Sequence, residues 1–175
     1  QVEEGICGEI MISGSSVAQG YIFDHTEPIQ TFQDRKIATG DIGFFYQGEL
    51  YVLERIKNII IKNGENYLAS DLERQVSELT KIPFGKIAVF EADIVKKSSL
   101  VAIIELPSRA KVEDVEFHLQ QNLVKMDLPI DKFIITKVKT IPKTTSGKKK
   151  HYMCRNLYNG GNINIAKEIE IDALR

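Results

Sequence analysis

The sequence predicts an α+β fold: a β-rich segment up to about residue 57, then a small unit with a short mixed sheet and flanking helices. Three observations carry this. In the first third, apolar and β-branched residues alternate with polar ones between turn signals. Leu72, Val76 and Leu79, and later Val112, Val115, Leu119, Leu123 and Met126, recur at helical intervals. Short apolar runs bounded by polar turns lie between and after those helices.

Taken in order, "GEIMIS" alternates and ends in the turn-like "SGSS". "GFFYQGELYVLE" reads as a hairpin around Gln47-Gly48, and "NIIIK" as a short buried strand closed by "NGEN". Ser70 and Glu73 have the spacing of a capping box, which starts a helix over about 70–80. "KIAVFEA" and "LVAIIEL" are strands joined by "DIVKKSS", a second helix runs over about 112–126, and "KFIITKV" is a third strand. "IPKTTSGKKKHYMCR" is then a loop leading into a short helix. "NGGN" breaks the chain, and "INIAKEIEIDALR" reads as a tail or linker. The expected division is 1–57, 58–159 and 160–175.

Composition narrows the class. The 175 residues are 43% hydrophobic and 27% charged, with a net charge of -1. A chain of this size buries roughly two-thirds of its unfolded surface and needs no staple to fold. No apolar run approaches the ~18 residues of a membrane span. The first residues lack the basic and apolar regions of a signal peptide, and the absence of Met suggests a cut from a longer chain. Cys7 and Cys154 are isolated, which suits a reducing cytoplasm. His25, His118 and His151 show no zinc-site spacing, so no metal ligand is assigned.

Charge is uneven. Between Lys132 and Lys167 there is no Asp or Glu, but there are nine Lys or Arg, which suggests an anionic ligand or partner. A Walker loop is excluded, because Pro142 stands at its first glycine and Lys149 at its final hydroxyl. Nucleic acid is disfavoured: Phe133, Tyr152 and Tyr158 are the only stacking groups in the window, and no recognition motif accompanies them. A positioned lysine remains. Pro142 stiffens the start of the loop, Thr144, Thr145 and Ser146 can bond the backbone, and Gly147 permits a positive φ. A lysine at the end of such a loop is a point charge suited to an oxyanion or phosphate. Asp41, after Thr39-Gly40, could accept ribose hydroxyls or simply form a turn. Arg55 and Lys57 would share one side of a strand at period two, as ligands or as solvated residues.

Together these segments resemble the AMP-forming adenylating enzymes. "GEIMISGSSVAQGY" is similar to their Gly-Glu-Ile strand and Gly-Tyr. "TGDIGFFYQGELYVLERIKNIIIKNGENYLASDLE" is similar to their Thr-Gly-Asp and hinge motifs, and "IPKTTSGKKKHYMCR" to their C-terminal Pro-Lys-Thr-x-Ser-Gly-Lys motif. "LYVLERIKNIIIKNGENY" and "CRNLY" look most like fatty acyl-AMP ligases. The resemblance implies a C-terminal lid domain over 58–159, preceded by the β-rich end of a large N-terminal region, in an enzyme that uses ATP and Mg2+. The partners it implies are a fatty acid and either an acyl carrier protein or CoA, with the acyl group passed to a phosphopantetheine thiol. Asp41 would bind ribose, Arg55 the ribose or phosphate, Lys57 would be the hinge, and Lys148 would bridge the acyl carboxylate and the α-phosphate. The basic lid surface could instead dock an acidic carrier protein without catalysis. The chain departs from the pattern at Glu54, usually glycine, at Asn58, usually acidic, and at Lys149-Lys150-His151, where an apolar residue, a polar residue and Arg are usual. Lys149 and Lys150 therefore read as solvated or docking charges.

Overall fold

The computed structural model describes residues 2–21, 30–94, 97–122, 128–137 and 139–171. His25, Leu123, Met126 and Val138 lie outside them. The chain divides into two compact units, Gln1–Lys57 and Asn58–Arg175.

In the first unit, β1 (Gly8–Ser13), β4 (Lys36–Tyr46) and β5 (Glu49–Arg55) form an antiparallel sheet in the order β1-β4-β5. β2 (Gly20–Tyr21) and β3 (Gln30–Thr31) form a small separate ribbon. The β4–β5 turn forms at Gln47 and Gly48, both at positive φ (51° and 79°). Mirror-image turns of this kind match the right-handed twist of paired strands. Gly43 is required for packing: a Cβ there would sit 2.3 Å from the Tyr51 carbonyl oxygen.

β5 ends at Arg55, and a 3-10 turn over Ile56–Asn58 carries Lys57. The expected period-two relation between Arg55 and Lys57 therefore does not form, because the strand geometry it needs stops at Arg55.

The second unit begins with the hairpin β6 (Ile59–Lys62) and β7 (Glu65–Leu68). Its turn is only Asn63-Gly64 (φ 55° and 83°), so Glu65 and Asn66 belong to a strand rather than to a four-residue turn. β6 is buried on one face only: Ile60 is buried while Ile61 is 66% exposed.

After α1 (Ala69–Thr80) comes a four-stranded mixed sheet in the order β11-β10-β9-β8. β8 (Ile87–Ile94) and β9 (Lys97–Glu105) are antiparallel. α2 (Val112–Asn122) forms the crossover to β10 (Lys132–Thr136), which runs parallel to β9. Both faces of the sheet are covered, which is why its strands read as near-continuous apolar runs. Val89, Ala102, Ile104, Phe133 and Ile135 pack with Leu72, Val76 and Leu79 of α1 and with Val115 and Leu119 of α2. Ala88, Phe90, Val101, Ile103 and Ile134 pack on the other face with Ile141 and with Cys154 of α3 (His151–Asn159). Burial pushes the Cys154 thiol up to about 12, so it stays protonated and acts as a small apolar filler.

Two expectations fail here. The expected tail or linker over 160–175 is, in its described part, a strand: Ile165–Glu170 forms β11, antiparallel to β10, and Ile169 and the following Ile171 are buried; residues 172–175 lie outside the described residues. Covering the β10 edge and filling the core below it outweigh the polar character of "AKEIE". Nor does the capping box form. The N-cap of α1 is Leu68 and has no side-chain cap bond, while Glu73 points inward and is 1% exposed.

If β11 is part of the core, Ile169→Ala should lower unfolding stability by about 2–5 kcal/mol in urea titrations. A loss within ±0.5 kcal/mol would mean that the strand is peripheral.

Candidate functional site

In the first unit, Thr39, Asp41 and Arg55 form one polar group. The Thr39 hydroxyl donates to the Ile10 carbonyl (2.9 Å) and accepts from the Asp41 N–H (3.1 Å). This fixes the bend at Gly40, whose φ is 73°. Asp41 and Arg55 are register partners on β4 and β5, and Arg55 Nε lies 2.9 Å from Asp41 Oδ1. Arg55 is 64% exposed and Asp41 29%, so both can still meet a ligand. Glu54 accepts the Arg55 main-chain N–H (3.0 Å), which directs that carboxylate toward the backbone.

In the second unit, the loop between β10 and α3 is held at three points. At its start, buried Glu105 accepts the N–H groups of Thr140 (2.8 Å) and Ile141 (3.0 Å), and Lys86 Nζ lies 2.7 Å from its other oxygen. In the middle, Lys143 and Lys149 form an antiparallel bridge. The Thr144 N–H donates to the Lys148 carbonyl (2.8 Å), and the Gly147 N–H donates to the Thr144 carbonyl (2.9 Å). The Thr144 hydroxyl accepts the Lys148 N–H (3.0 Å) and lies 2.9 Å from the Ser146 hydroxyl. Gly147 has φ 82°, the left-handed conformation that this tight turn needs.

At the exit lies the contact that sequence reasoning missed. Lys149 is not solvated. Its ammonium donates to Glu73 Oε2, to the Ile87 carbonyl (2.9 Å) and to the Phe84 carbonyl (3.2 Å), and it lies 3.7 Å from the centre of the Phe84 ring. Glu73 Oε1 accepts the Val89 N–H (3.1 Å) and lies 2.7 Å from His151 Nε2. The Lys149 side chain is 9% exposed and that of Glu73 1%. A buried charge without its partner costs about 3–5 kcal/mol, so the three side chains stand or fall together. Lys148, one residue earlier, is exposed.

The basic window is partly neutralised by acids outside it. Lys132 pairs with Glu168 and Glu170, and Lys167 with Glu116. The Glu168 hydrogen bond raises the Lys132 pKa further above its ordinary value. Among the described residues, no three His, Cys, Asp or Glu side chains gather as a metal cage. No helix among them is long and apolar enough to cross a membrane.

No protein-family model matches the chain. Curated relatives do. It is 29% identical over 178 residues to "Putative fatty-acid--CoA ligase fadD21" of Mycobacterium leprae, covering 88% of this chain and 30% of that protein. It is 30% identical over 176 residues to "Long-chain-fatty-acid--AMP ligase FadD26" of Mycobacterium tuberculosis, again covering 88% of this chain and 30% of the relative. The chain thus spans about 30% of the length of these relatives. Among solved structures, the A-PCP portion of McyG complexed with phenylalanyl-adenylate superposes with a TM-score of 0.72 at 27% identity, over 91% of this chain and 26% of that one.

Burial tends to raise the Glu105 carboxyl, but the Lys86 hydrogen bond and main-chain N–H groups, including that of Ile141, outweigh it and hold it below the ordinary 4.5. The folded value is the lower one. The stabilisation is therefore present above about pH 4.5 and is lost as pH falls through the folded value. Amide exchange at Thr140 and Ile141, corrected for intrinsic rates, should accelerate relative to β9 on acidification through that window. A constant ratio would contradict the assignment.

Proposed function

We infer, for a chain that belongs to the AMP-forming adenylating enzymes and is most like the C-terminal part of a fatty acyl-AMP ligase, that it supplies the lid of an enzyme activating a fatty acid with ATP. A fatty acid carboxylate oxygen attacks the α-phosphorus of ATP. Pyrophosphate leaves and acyl-adenylate forms. A phosphopantetheine thiol, on a carrier protein or on CoA, then attacks the acyl carbon, and AMP leaves.

The observation that carries this reading is the Lys148 loop. Its main chain is closed onto Thr144, Gly147 sits at positive φ, and one exposed ammonium is presented at its end. A lysine so placed lowers the repulsion between two anions that must meet, acting where charge develops. Asp41 takes the ribose hydroxyls, and Arg55, already beside it, takes ribose or phosphate oxygens. Lys57, in the turn that ends the first unit, is the hinge residue between adenylation and thioester formation. Residues 58–159 form the lid, and β11 extends its sheet.

Mg2+ would neutralise the ATP phosphates. Among the described residues no three His, Cys, Asp or Glu side chains gather to hold it. Two isolated cysteines, one of them buried, support a cytoplasmic setting. Transfer to a carrier protein is the favoured second step, supported by the relative named as an AMP ligase. The CoA-ligase relative keeps free CoA as the alternative acceptor.

The chain alone should form no acyl-adenylate. In the longer enzyme, Lys148→Ala should lower the adenylation rate by about 10²–10³-fold with the fold retained. The check is pyrophosphate release alongside circular dichroism. Adenylation at the normal rate would remove Lys148 from this role.

A further inference from the structure

We propose that Glu73 is a positioning residue for Lys148, acting through Lys149 and His151, which its carboxylate ties to α1 and β8; this rests on the reading of Lys148 given above. Among the described residues, no side chain tethers the ammonium of Lys148 in this way. Its side chain is exposed, as a group that must reach a ligand needs to be. Its backbone, however, is fixed on both sides. Toward the N-terminus, the Thr144 carbonyl and hydroxyl accept the N–H groups of Gly147 and Lys148. Toward the C-terminus, Lys149 and His151 converge on one carboxylate that is 1% exposed.

The antiparallel bridge at Lys149 makes adjacent residues point to opposite sides. Drawing Lys149 inward therefore turns Lys148 outward. The ammonium of Lys149 is held by three acceptors, Glu73, Ile87 O and Phe84 O, which define its direction rather than only its depth. Glu73 is anchored in turn by the Val89 N–H, so the frame of reference is the central sheet.

Stability alone does not call for this arrangement. A buried ion pair is often matched or bettered by apolar side chains of similar volume. The resemblance noted above has an apolar residue after its lysine, where this chain has Lys149. A charged, directional contact at that place specifies geometry, and a displacement of about 1 Å in a catalytic group can cost on the order of 10²-fold in rate.

The test separates the two half-reactions in the longer enzyme. Acyl-adenylate formation is followed by pyrophosphate release, and transfer by supplying preformed acyl-adenylate and a phosphopantetheine thiol. Glu73→Gln should lower kcat for adenylation on the order of 10²-fold with little change in KM for ATP or fatty acid, and leave transfer unchanged. Lys149→Met should act in the same direction and carries the test if Glu73→Gln does not fold. The double variant should lose no more than the worse single variant, because both act through one contact. Equal loss in both half-reactions would show a merely structural role and overturn the proposal, as would additive losses. Normal adenylation in both single variants, with Lys148→Ala inactive, would overturn it while leaving the role of Lys148 standing. Normal adenylation in Lys148→Ala would remove that role and this proposal with it.

Discussion

The second unit depends on one buried carboxylate. Glu73 leaves the first turns of α1 and accepts from the Val89 main chain, from Lys149 and, with Nε2 protonated, from His151. A carboxylate 1% exposed is tolerable only when its lone pairs are filled, and the three partners come from a strand, a loop and a helix. The contact therefore sets the positions of α1, β8 and the start of α3 relative to the loop between them. The apolar layers on either side of the sheet supply most of the stability. They are non-directional, and they do not specify which of three consecutive lysines faces in.

A second buried carboxylate, Glu105, does for the start of the loop what Glu73 does for its exit. Between them the chain closes on itself through Thr144 and Gly147. The outcome is a division of labour among like charges. Lys149 is held by acceptors inside the unit, Lys132 by the acids of β11, and Lys148 remains exposed. Part of the basic cluster is thus structural, in Lys132, Lys149 and Lys167, while Lys137, Lys139, Lys143 and Lys148 are exposed.

The strands and helices of this fold were legible because their signals are local. Alternation marks β1, aromatic and apolar runs mark β4, β5, β8, β9 and β10, and helical spacing marks α1 and α2. The two positive-φ hairpin turns fall on Gln47-Gly48 and Asn63-Gly64. The turn before Lys148 was legible in Gly147 and the hydroxyl residues beside it, while the partners of Lys149 were not. Glu73 and Lys149 lie 76 positions apart, and the Ser70–Glu73 spacing offered a local explanation that satisfied the same residue. β11 was missed for a different reason. Ile165, Ile169 and Ile171 do alternate, but Lys167, Glu168 and Glu170 gave the segment the composition of a linker. Those charges are accommodated because β11 is an edge strand whose acids meet Lys132.

The Lys148 loop is a fixed structure, although it lies at the surface. Native-state amide hydrogen exchange on the unmodified chain tests this directly, read at Thr144, Gly147, Lys148 and Lys150, whose N–H groups are all bonded within the loop. Protection at these four comparable to that of α1 and β8 is the predicted result. Exchange at the rate of a free peptide, with α1 and β8 still protected, would contradict it.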